Sequence, residues 1–336
     1  MRIEIILLLL LLIASCRPEN AEKTLIENLL GKEYIGIDEL WDKVNYEEIY
    51  LEESDSIVIG EINKIIGNRN NYYVLSNDNR IHVYDNSGKL ISILYKQGRG
   101  PSEYMRVEDF DVSDDGNAIW IADYNKINIY TQNNNSWNLD KTINFDFVIN
   151  KFRHIGNDRI ILLAGQNDKS LLIADHNGVI HSEYLDKQIP FILFRGNQFI
   201  KKNDSFIFQL GLSNSCIEYS ENEFKEILLS KEKSFLSKEK LVSMYDDYEY
   251  DYLSKLKECD YLNSLCFSSS INAVYYLLRG KKAVGFLIND KWYNILIDNE
   301  DLNYLTSFSF CDSNDGLLFY KYQDNEDLNP MLVRIY

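Results

Sequence analysis

The residues best suited to recognition chemistry lie in one short loop, residues 98–104. The loop reads Gly98-Arg99-Gly100-Pro101-Ser102-Glu103-Tyr104. An Arg guanidinium can contact a carboxylate or a phosphate through two parallel hydrogen bonds, and Glu103 and Tyr104 can orient a polar ligand. The loop therefore predicts a ligand site built on these three side chains. A structural interpretation competes with this one: Arg99 and Glu103 form ion pairs with neighbouring elements, and Tyr104 only packs.

No catalytic motif accompanies this loop. The sequence has no HExxH, GxSxG or phosphate-loop pattern. Residues 111–116 begin like a calcium-binding loop, but the twelfth position, where such a loop needs a bidentate Glu, is Ala122. We therefore predict no catalytic residue, no metal site and no cofactor. The four histidines are scattered over different predicted strands and turns: His82, His154, His176 and His181.

The N-terminal segment predicts export and a lipid anchor. Residues 5–13 form an unbroken apolar run, which is too short to span a bilayer but is typical of a signal peptide. The run ends in Ile13-Ala14-Ser15-Cys16, which resembles a bacterial lipobox, so we expect acylation at Cys16. Residues 1–15 are then the signal peptide, and residues 16–45 a tether with one or two helical turns. The alternative is a signal peptide with an incidental cysteine.

Charge and cysteine content restrict the partners further. The formal net charge is −17, which disfavours nucleic acid and leaves the lipid anchor as the contact with a membrane. The remaining cysteines lack the CxxC spacing of a zinc site. Export permits disulfides, and Cys259 and Cys266 are close enough in sequence to pair, although unpaired buried thiols are the alternative. These cysteines are Cys216, Cys259, Cys266 and Cys311.

The elements that must position the loop recur along the chain. Alternating apolar and polar residues predict strands with one buried face. Turns rich in Asp, Asn or Gly join paired strands and begin at residues 85, 131, 175, 220 and 289. A period in the mid-forties with four strands per unit is typical of propeller blades. We therefore predict six blades, with approximate ranges 57–94, 106–145, 147–186, 194–229, 262–298 and 304–336.

Two irregularities complete the predicted fold, an all-β six-bladed β-propeller over residues 46–336. The last blade has three clear strands, so residues 48–51 are expected to supply the fourth and close the ring. The longest step between turns contains an insertion, residues 230–262, in the fifth unit. Apolar residues near helical spacing predict that this insertion is helical and docks on the propeller. They are Leu236, Leu241, Met244, Tyr245, Tyr248, Tyr252 and Leu256.

Four motifs between residues 46 and 130 form a recognisable set: Ile59-Gly60-Glu61-Ile62, Tyr84-Asp85-Asn86-Ser87-Gly88-Lys89, the 98–104 loop and Ile121-Ala122-Asp123. Together they resemble the six-bladed, NHL-like β-propeller lipoproteins of Gram-negative bacteria. In that family the 98–104 loop has Gly where this chain has Ser102. The resemblance implies an exported lipoprotein of the cell envelope, anchored in the outer membrane and either periplasmic or surface-exposed; the family largely lacks a defined activity.

Propeller geometry places further polar residues beside the loop. Loops from a blade's outer strand to the next inner strand share a face with the loops between its middle strands, so residues 98–104 should lie near the mouth of the central channel. The cations in the set suggest an anionic ligand, and a solvated rim is the alternative. Residues expected on the same face are Asn77, Asp78, Asp123, Gln166, Arg279 and Lys321.

Two function classes follow. We expect a non-catalytic propeller that binds a small molecule, a glycan or an envelope protein on the channel-mouth face. The competing class is a metal-dependent enzyme of the lactonase, hydrolase or lyase type, in which an ion polarises a carbonyl. Glu61 and Asp109, near predicted inner strands, are the carboxylates to examine first for that class. The fold alone cannot choose between the classes, because propellers host both.

Overall fold

A computed structural model describes most of the chain after its first 23 residues. The described residues are 24–30, 34–52, 58–68, 70–133, 136–156, 158–165, 167–186, 198–248, 251–268, 270–307, 309–310, 316–323 and 328–336. The predicted signal peptide, Cys16 and Gln166 lie outside them.

The strands form six sheets, which confirms the prediction of an all-β six-bladed propeller. The first two strands belong to the N-terminal segment: β1 (Thr24–Ile26) and β2 (Tyr46–Tyr50). Blades 1 to 3 contain β3 (Ile62–Gly67), β4 (Asn71–Ser76), β5 (Ile81–Asp85), β6 (Leu90–Leu94); β7 (Asp109–Val112), β8 (Ala118–Asp123), β9 (Lys126–Asn133), β10 (Ser136–Asn144); and β11 (Val148–His154), β12 (Arg159–Gly165), β13 (Lys169–Asp175), β14 (Ile180–Asp186).

The second half of the ring repeats this pattern, each blade running from its innermost to its outermost strand. Blades 4 to 6 contain β15 (Phe199–Lys202), β16 (Ser205–Gln209), β17 (Ser215–Ser220), β18 (Glu223–Ser230); β19 (Tyr261–Phe267), β20 (Ile271–Leu278), β21 (Lys281–Ile288), β22 (Lys291–Leu296); and β23 (Ser309–Phe310), β24 (Leu317–Lys321), β25 (Met331–Ile335).

The ring closes through β2, which pairs antiparallel with β25 as the outermost strand of blade 6. The strand therefore occupies the position predicted for residues 48–51. The exchange joins the N-terminal segment to the last blade and covers an edge that would otherwise expose unpaired backbone groups.

The N-terminal segment corrects one expectation. Where the sequence predicted a tether, the described residues from 24 onward pack on the outer edges of blades 4 to 6. β1 adds a parallel fifth strand to blade 4 beside β18, and α1 (Ile37–Trp41) follows. The Trp292 indole donates to the Glu27 carbonyl at 2.6 Å, and Ile26 and Leu29 are buried. The apolar cluster at residues 25–30 is therefore part of the propeller core.

The insertion in the fifth unit is helical, as predicted. It contains α2 (Lys238–Tyr248) and α3 (Tyr252–Leu256). Leu241 and Met244 pack with Leu236, Leu212 and Leu256 in one apolar cluster. Among the described residues, no disulfide joins Cys259 to Cys266. Cys311 lies outside these residues.

The core lies between neighbouring blades. Each strand sends alternate side chains to the blade before it and the blade after it. In blade 2, for example, Phe110 and Ile119 join a cluster with Tyr73 of blade 1, whereas Trp120 joins one with Phe152 of blade 3. This two-sided burial explains why the strands combine aromatic and branched aliphatic residues.

Candidate functional site

The 98–104 loop follows β6 and is held by its own backbone. The Gly98 N–H donates to the Tyr104 carbonyl at 2.9 Å, and the Tyr104 N–H donates to the Lys96 carbonyl at 3.0 Å. Ser102 is exposed and does not adopt a left-handed backbone conformation. Serine is therefore compatible with this turn, although the family resemblance places glycine there.

The Glu103 carboxylate turns into the loop. Its Oε2 accepts a hydrogen bond from the Gly100 N–H at 2.6 Å. A Cβ atom at Gly98 would lie 2.0 Å from the same oxygen, so glycine is required there unless the carboxylate moves. Glu103 is therefore occupied in shaping the loop, which favours the structural interpretation of this residue.

Tyr104 is fully buried. Its hydroxyl donates to the Asn79 carbonyl at 2.8 Å and accepts from the Lys96 N–H at 3.2 Å. Burial raises the pKa of this phenol, so it stays protonated and neutral. Tyr104 anchors the loop to blade 1, and its side chain is not accessible to a ligand.

Asp123 anchors the same segment from blade 2. It is 3% exposed, and its carboxylate accepts from the backbone N–H groups of Met105 (3.1 Å) and Arg106 (3.4 Å). The Lys126 ammonium lies 3.3 Å away. Within the fold, two backbone N–H donors and one cation therefore replace the water that would solvate this carboxylate in the unfolded chain.

The loop lies on the predicted face, but over the groove between blades 1 and 2. Besides the Asn79 contact, the Tyr130 hydroxyl donates to the Ser102 carbonyl at 3.1 Å, and the Asn128 amide donates to the Glu103 carbonyl at 3.3 Å. These contacts involve the middle strands of the two blades. The expectation that the loop borders the channel mouth is corrected accordingly.

Arg99 differs from its neighbours. It is exposed at the tip of the loop, and no ion-pair or hydrogen-bond partner occurs for its guanidinium in the described part of the chain. This side chain is the predicted site residue that is available to an external group.

The other predicted residues share the face but belong to separate blades. Arg279 is exposed at the tip of a blade 5 hairpin, where its φ of +51° and the +73° of Gly280 form a tight turn. The Lys321 ammonium lies 5.6 Å from the centre of the Tyr304 ring in blade 6. Asp78 pairs with Arg80 at 2.9 Å, and Asn77 is exposed beside it. The structure thus joins Glu103, Tyr104 and Asp123 in one network but not Arg279 or Lys321.

Comparison with known proteins agrees with the observed ring of blades. A family model described as 6-bladed beta-propeller matches residues 17–321. The chain belongs to this family. No curated protein matches the sequence.

One solved structure supports the fold. The crystal structure of a "Putative exported protein" from Bacteroides fragilis matches with a TM-score of 0.72 and 16% identity, over 88% of this chain and 95% of that one. At this identity the match concerns the fold alone. A luciferin-regenerating enzyme matches with a TM-score of 0.46 and 10% identity, over 87% and 95% of the two chains.

In this propeller the inner strands expose backbone groups to the channel, and side chains from the preceding blade satisfy several of them. Asp109 and Asp111 of β7 accept from the N–H groups of Phe152 (3.0 Å) and His154 (2.7 Å) in β11. The side chains on one side of β7 and the free N–H groups of β11 both recur at every second residue. The Asp-x-Asp pattern of β7 therefore matches the free edge of the next blade. Similarly, the Lys64 ammonium donates to the Phe110 carbonyl at 2.7 Å.

The same contacts bear on the enzyme alternative. Asp109 is 2% exposed, and its Oδ1 lies 2.8 Å from the Lys64 ammonium and 3.7 Å from that of Lys151. Burial lowers the pKa of Lys64, and the Asp109 and Asp111 carboxylates oppose that shift. Two ammonium groups on one carboxylate leave it poorly suited to a metal cation. Glu61, the other carboxylate of interest, is exposed.

The described residues contain no group of three or more His, Cys, Asp or Glu residues arranged to hold a metal ion. They also contain no helix that is both long and apolar enough to cross a membrane.

Three exposed apolar side chains lie on the segments before and after the 98–104 loop and on the neighbouring β8–β9 turn, and the sequence patterns did not single them out. Tyr95, Met105 and Tyr124 are 47%, 50% and 57% exposed. They are linked through Gln97, which accepts from the Tyr95 hydroxyl and donates to the Met105 carbonyl, and through the bond from Met105 to Asp123. We call this surface, with Arg99, the Tyr95–Tyr124 patch. In the sequence, this patch is indicated by apolar residues within loops that are otherwise predicted to be polar.

Proposed function

We propose that this protein is an exported, lipid-anchored binding propeller that holds its partner on the face of the 98–104 loop, hereafter the loop face. The observation that carries the proposal is the uneven distribution of exposed large apolar side chains. Among the twelve exposed large apolar side chains of the described residues, six lie on the loop face, two on the opposite face, and four on the N-terminal segment or the outer strands. The three sets are, in that order, Val58, Tyr95, Met105, Tyr124, Tyr248 and Tyr322; Val179 and Tyr336; and Tyr34, Tyr46, Tyr50 and Ile91.

The composition of the Tyr95–Tyr124 patch supports recognition. Tyrosine, methionine and arginine are enriched in protein interfaces, and a few such residues supply most of the binding energy. Tyr124 also has a φ of +57°, a conformation that costs free energy for a residue with a side chain and that often occurs at binding sites. This backbone presents the Tyr124 ring to solvent on the patch.

Charge indicates the chemistry of the partner. Three cations near the patch pair with carboxylates of the propeller: Arg80 with Asp78, Arg106 with Glu108, and Lys126 with Asp123. Arg99 adds a guanidinium that the described residues do not neutralise. The proposed partner therefore combines an apolar or aromatic surface with a carboxylate or phosphate, as an envelope protein, a charged glycan or a small amphipathic molecule can.

The binding test compares variants matched for stability. Tyr124→Ala and Arg99→Ala should each weaken binding of an isolated envelope partner or anionic glycan at least tenfold, whereas Val179→Ala on the opposite face should have no effect. Chelators should leave binding unchanged. Equal binding by all variants would contradict use of the patch. A hydrolytic activity that is lost on chelation and restored by calcium or zinc would instead favour the enzyme class.

Export and anchoring rest on different observations. The apolar run, the lipobox-like Cys16 and the resemblance to NHL-like lipoproteins support a lipoprotein of the Gram-negative outer membrane. The name of the Bacteroides fragilis relative supports export. Acyl chains supply most of the membrane affinity of such a protein, so Cys16→Ser should become soluble. Unchanged membrane association would refute the anchor. Protease treatment of intact cells distinguishes a surface-exposed from a periplasmic location.

A further inference from the structure

A second candidate site lies on the opposite face, at the turns of blades 2, 3 and 4. A cavity of about 190 Å³ opens there. Pockets for drug-sized ligands begin near 300 Å³, so this one admits only a small solute. Its walls come from three consecutive blades, which hold it in shape without the loops of the other face.

The floor of the cavity contains buried charged residues. Asp111 and Arg153 line it and are 3% and 6% exposed. The Arg153 guanidinium lies 5.9 Å from the centre of the Phe206 ring, and Asp111 accepts from the His154 N–H as described above. Burial lowers the pKa of His154, so its imidazole is neutral near pH 7. The floor is thus polar and rigid.

The rim presents charged side chains of both signs. Lys201, Asp114 and Asp204 line the same cavity. In the described part of the chain none of their charged groups has a hydrogen-bond or ion-pair partner, although the cavity between them is small. Asp204 lies in the tight β15–β16 turn, where Asn203 has a φ of +54°. Opposite charges held apart around a cavity complement a ligand that carries both signs.

From this arrangement we propose that the cavity binds a small zwitterion of the amino-acid type. The Lys201 ammonium receives the ligand carboxylate. The Asp114 and Asp204 carboxylates receive the ligand ammonium. Neither a simple anion nor a simple cation satisfies both halves of the rim, so each should bind much more weakly than the zwitterion.

The test uses three probes of similar size on the purified protein. Glycine should bind with a saturable heat signal in calorimetry below 10 mM, whereas acetate and methylammonium, each carrying one of its charges, should bind at least tenfold more weakly. Trp120 provides a second readout, because its ring lies 5.2 Å from that of His154, which lines the cavity. Its fluorescence should change with the same midpoint, and Trp120→Phe should abolish that change.

Variants localise the site. Lys201→Gln and Asp204→Asn should each weaken glycine binding at least tenfold. Lys202→Gln is the matched control, because it removes the same charge one residue away, where the ammonium lies 4.6 Å from the centre of the Phe267 ring. Arg99→Ala on the loop face should leave glycine binding unchanged. The proposal is overturned if glycine and its larger homologue alanine give no saturable signal, if acetate binds as well as glycine, or if Lys201→Gln binds like the wild type.

Discussion

The seam between blades 1 to 3 and the tip of the 98–104 loop use charged residues in opposite ways. In the seam, Lys64 and Asp109 are buried and Lys151 is half-buried. These three residues satisfy one another and the free edges of inner strands. At the loop tip, Arg99 is exposed without a partner among the described residues. In the sequence, the charged residues of both regions have other polar residues nearby. The comparison shows that partners distant in sequence decide whether a charge holds the fold together or is free to recognise something else.

The largest expected effect comes from breaking the seam. Asp109→Ala removes the acceptor of the Lys64 ammonium and of the Phe152 N–H, and leaves a buried cation without its counterion. Removing one partner of a buried pair typically costs about 3–5 kcal/mol, so the free energy of unfolding in urea should fall by that amount. Asp146→Ala, at an exposed position, is the control and should change it by less than about 0.5 kcal/mol. Similar losses in both variants would contradict the structural role of Asp109.

The second prediction concerns pH. His82 is 1% exposed, and burial lowers its pKa from 6.5 to about 4. The unfolded chain therefore binds a proton between pH 6.5 and 4 that the folded chain does not. The stability due to this neutral histidine is complete above pH 6.5 and is lost as the pH falls towards 4, by up to about 3 kcal/mol.

Unfolding of the wild type and of His82→Gln between pH 4 and 7 measures this effect, because the contributions of the carboxylates cancel in the difference. The difference in the free energy of unfolding between the wild type and His82→Gln should decrease as the pH falls. A constant difference between wild type and His82→Gln would show that His82 titrates normally in the folded protein.

A smaller effect is expected where the loop meets the blades. Tyr104→Phe keeps the ring but removes the hydroxyl that joins Asn79 and Lys96. A buried group that loses its hydrogen-bond partner costs about 1–2 kcal/mol, so the free energy of unfolding should fall by that amount. Tyr95→Phe is the matched control, since its hydroxyl bonds Gln97 on the exposed patch. If both changes are neutral, the hydroxyl of Tyr104 does not anchor the loop.

The fold could be predicted because it is periodic. The predicted second blade, 106–145, differs by few residues from the observed span of β7 to β10, since alternation and turn chemistry are local signals. The missing strand of blade 6 was also predictable, because an open edge requires a partner. The N-terminal segment was not: Ile26 and Leu29 find their apolar partners about 200 residues away, on blades 4 and 5.

The roles of individual site residues could be predicted only in part. The sequence identified Glu103, Tyr104 and Asp123 as polar or aromatic residues on one face, and they do lie close together. Their partners are backbone groups whose positions only the folded chain defines, so their structural use was not visible. The charged lining of the cavity on the opposite face was not visible in the sequence for the same reason, since Asp114, Arg153 and Lys201 come from three different blades.

The smallest expected effect on stability is that of Arg99, which is compared with Glu103 of the same loop. Arg99→Ala should change the free energy of unfolding by less than about 0.5 kcal/mol, because the side chain is exposed and unpaired in the described structure. Glu103→Ala, four residues away, should cost about 1–2 kcal/mol, because its carboxylate accepts the Gly100 N–H and fills the space above Gly98. Thermal or urea unfolding of the two variants measures both effects. If Arg99→Ala proved as destabilising as Glu103→Ala, Arg99 would be part of the loop's scaffold, and the proposed use of its guanidinium in recognition would lose its basis.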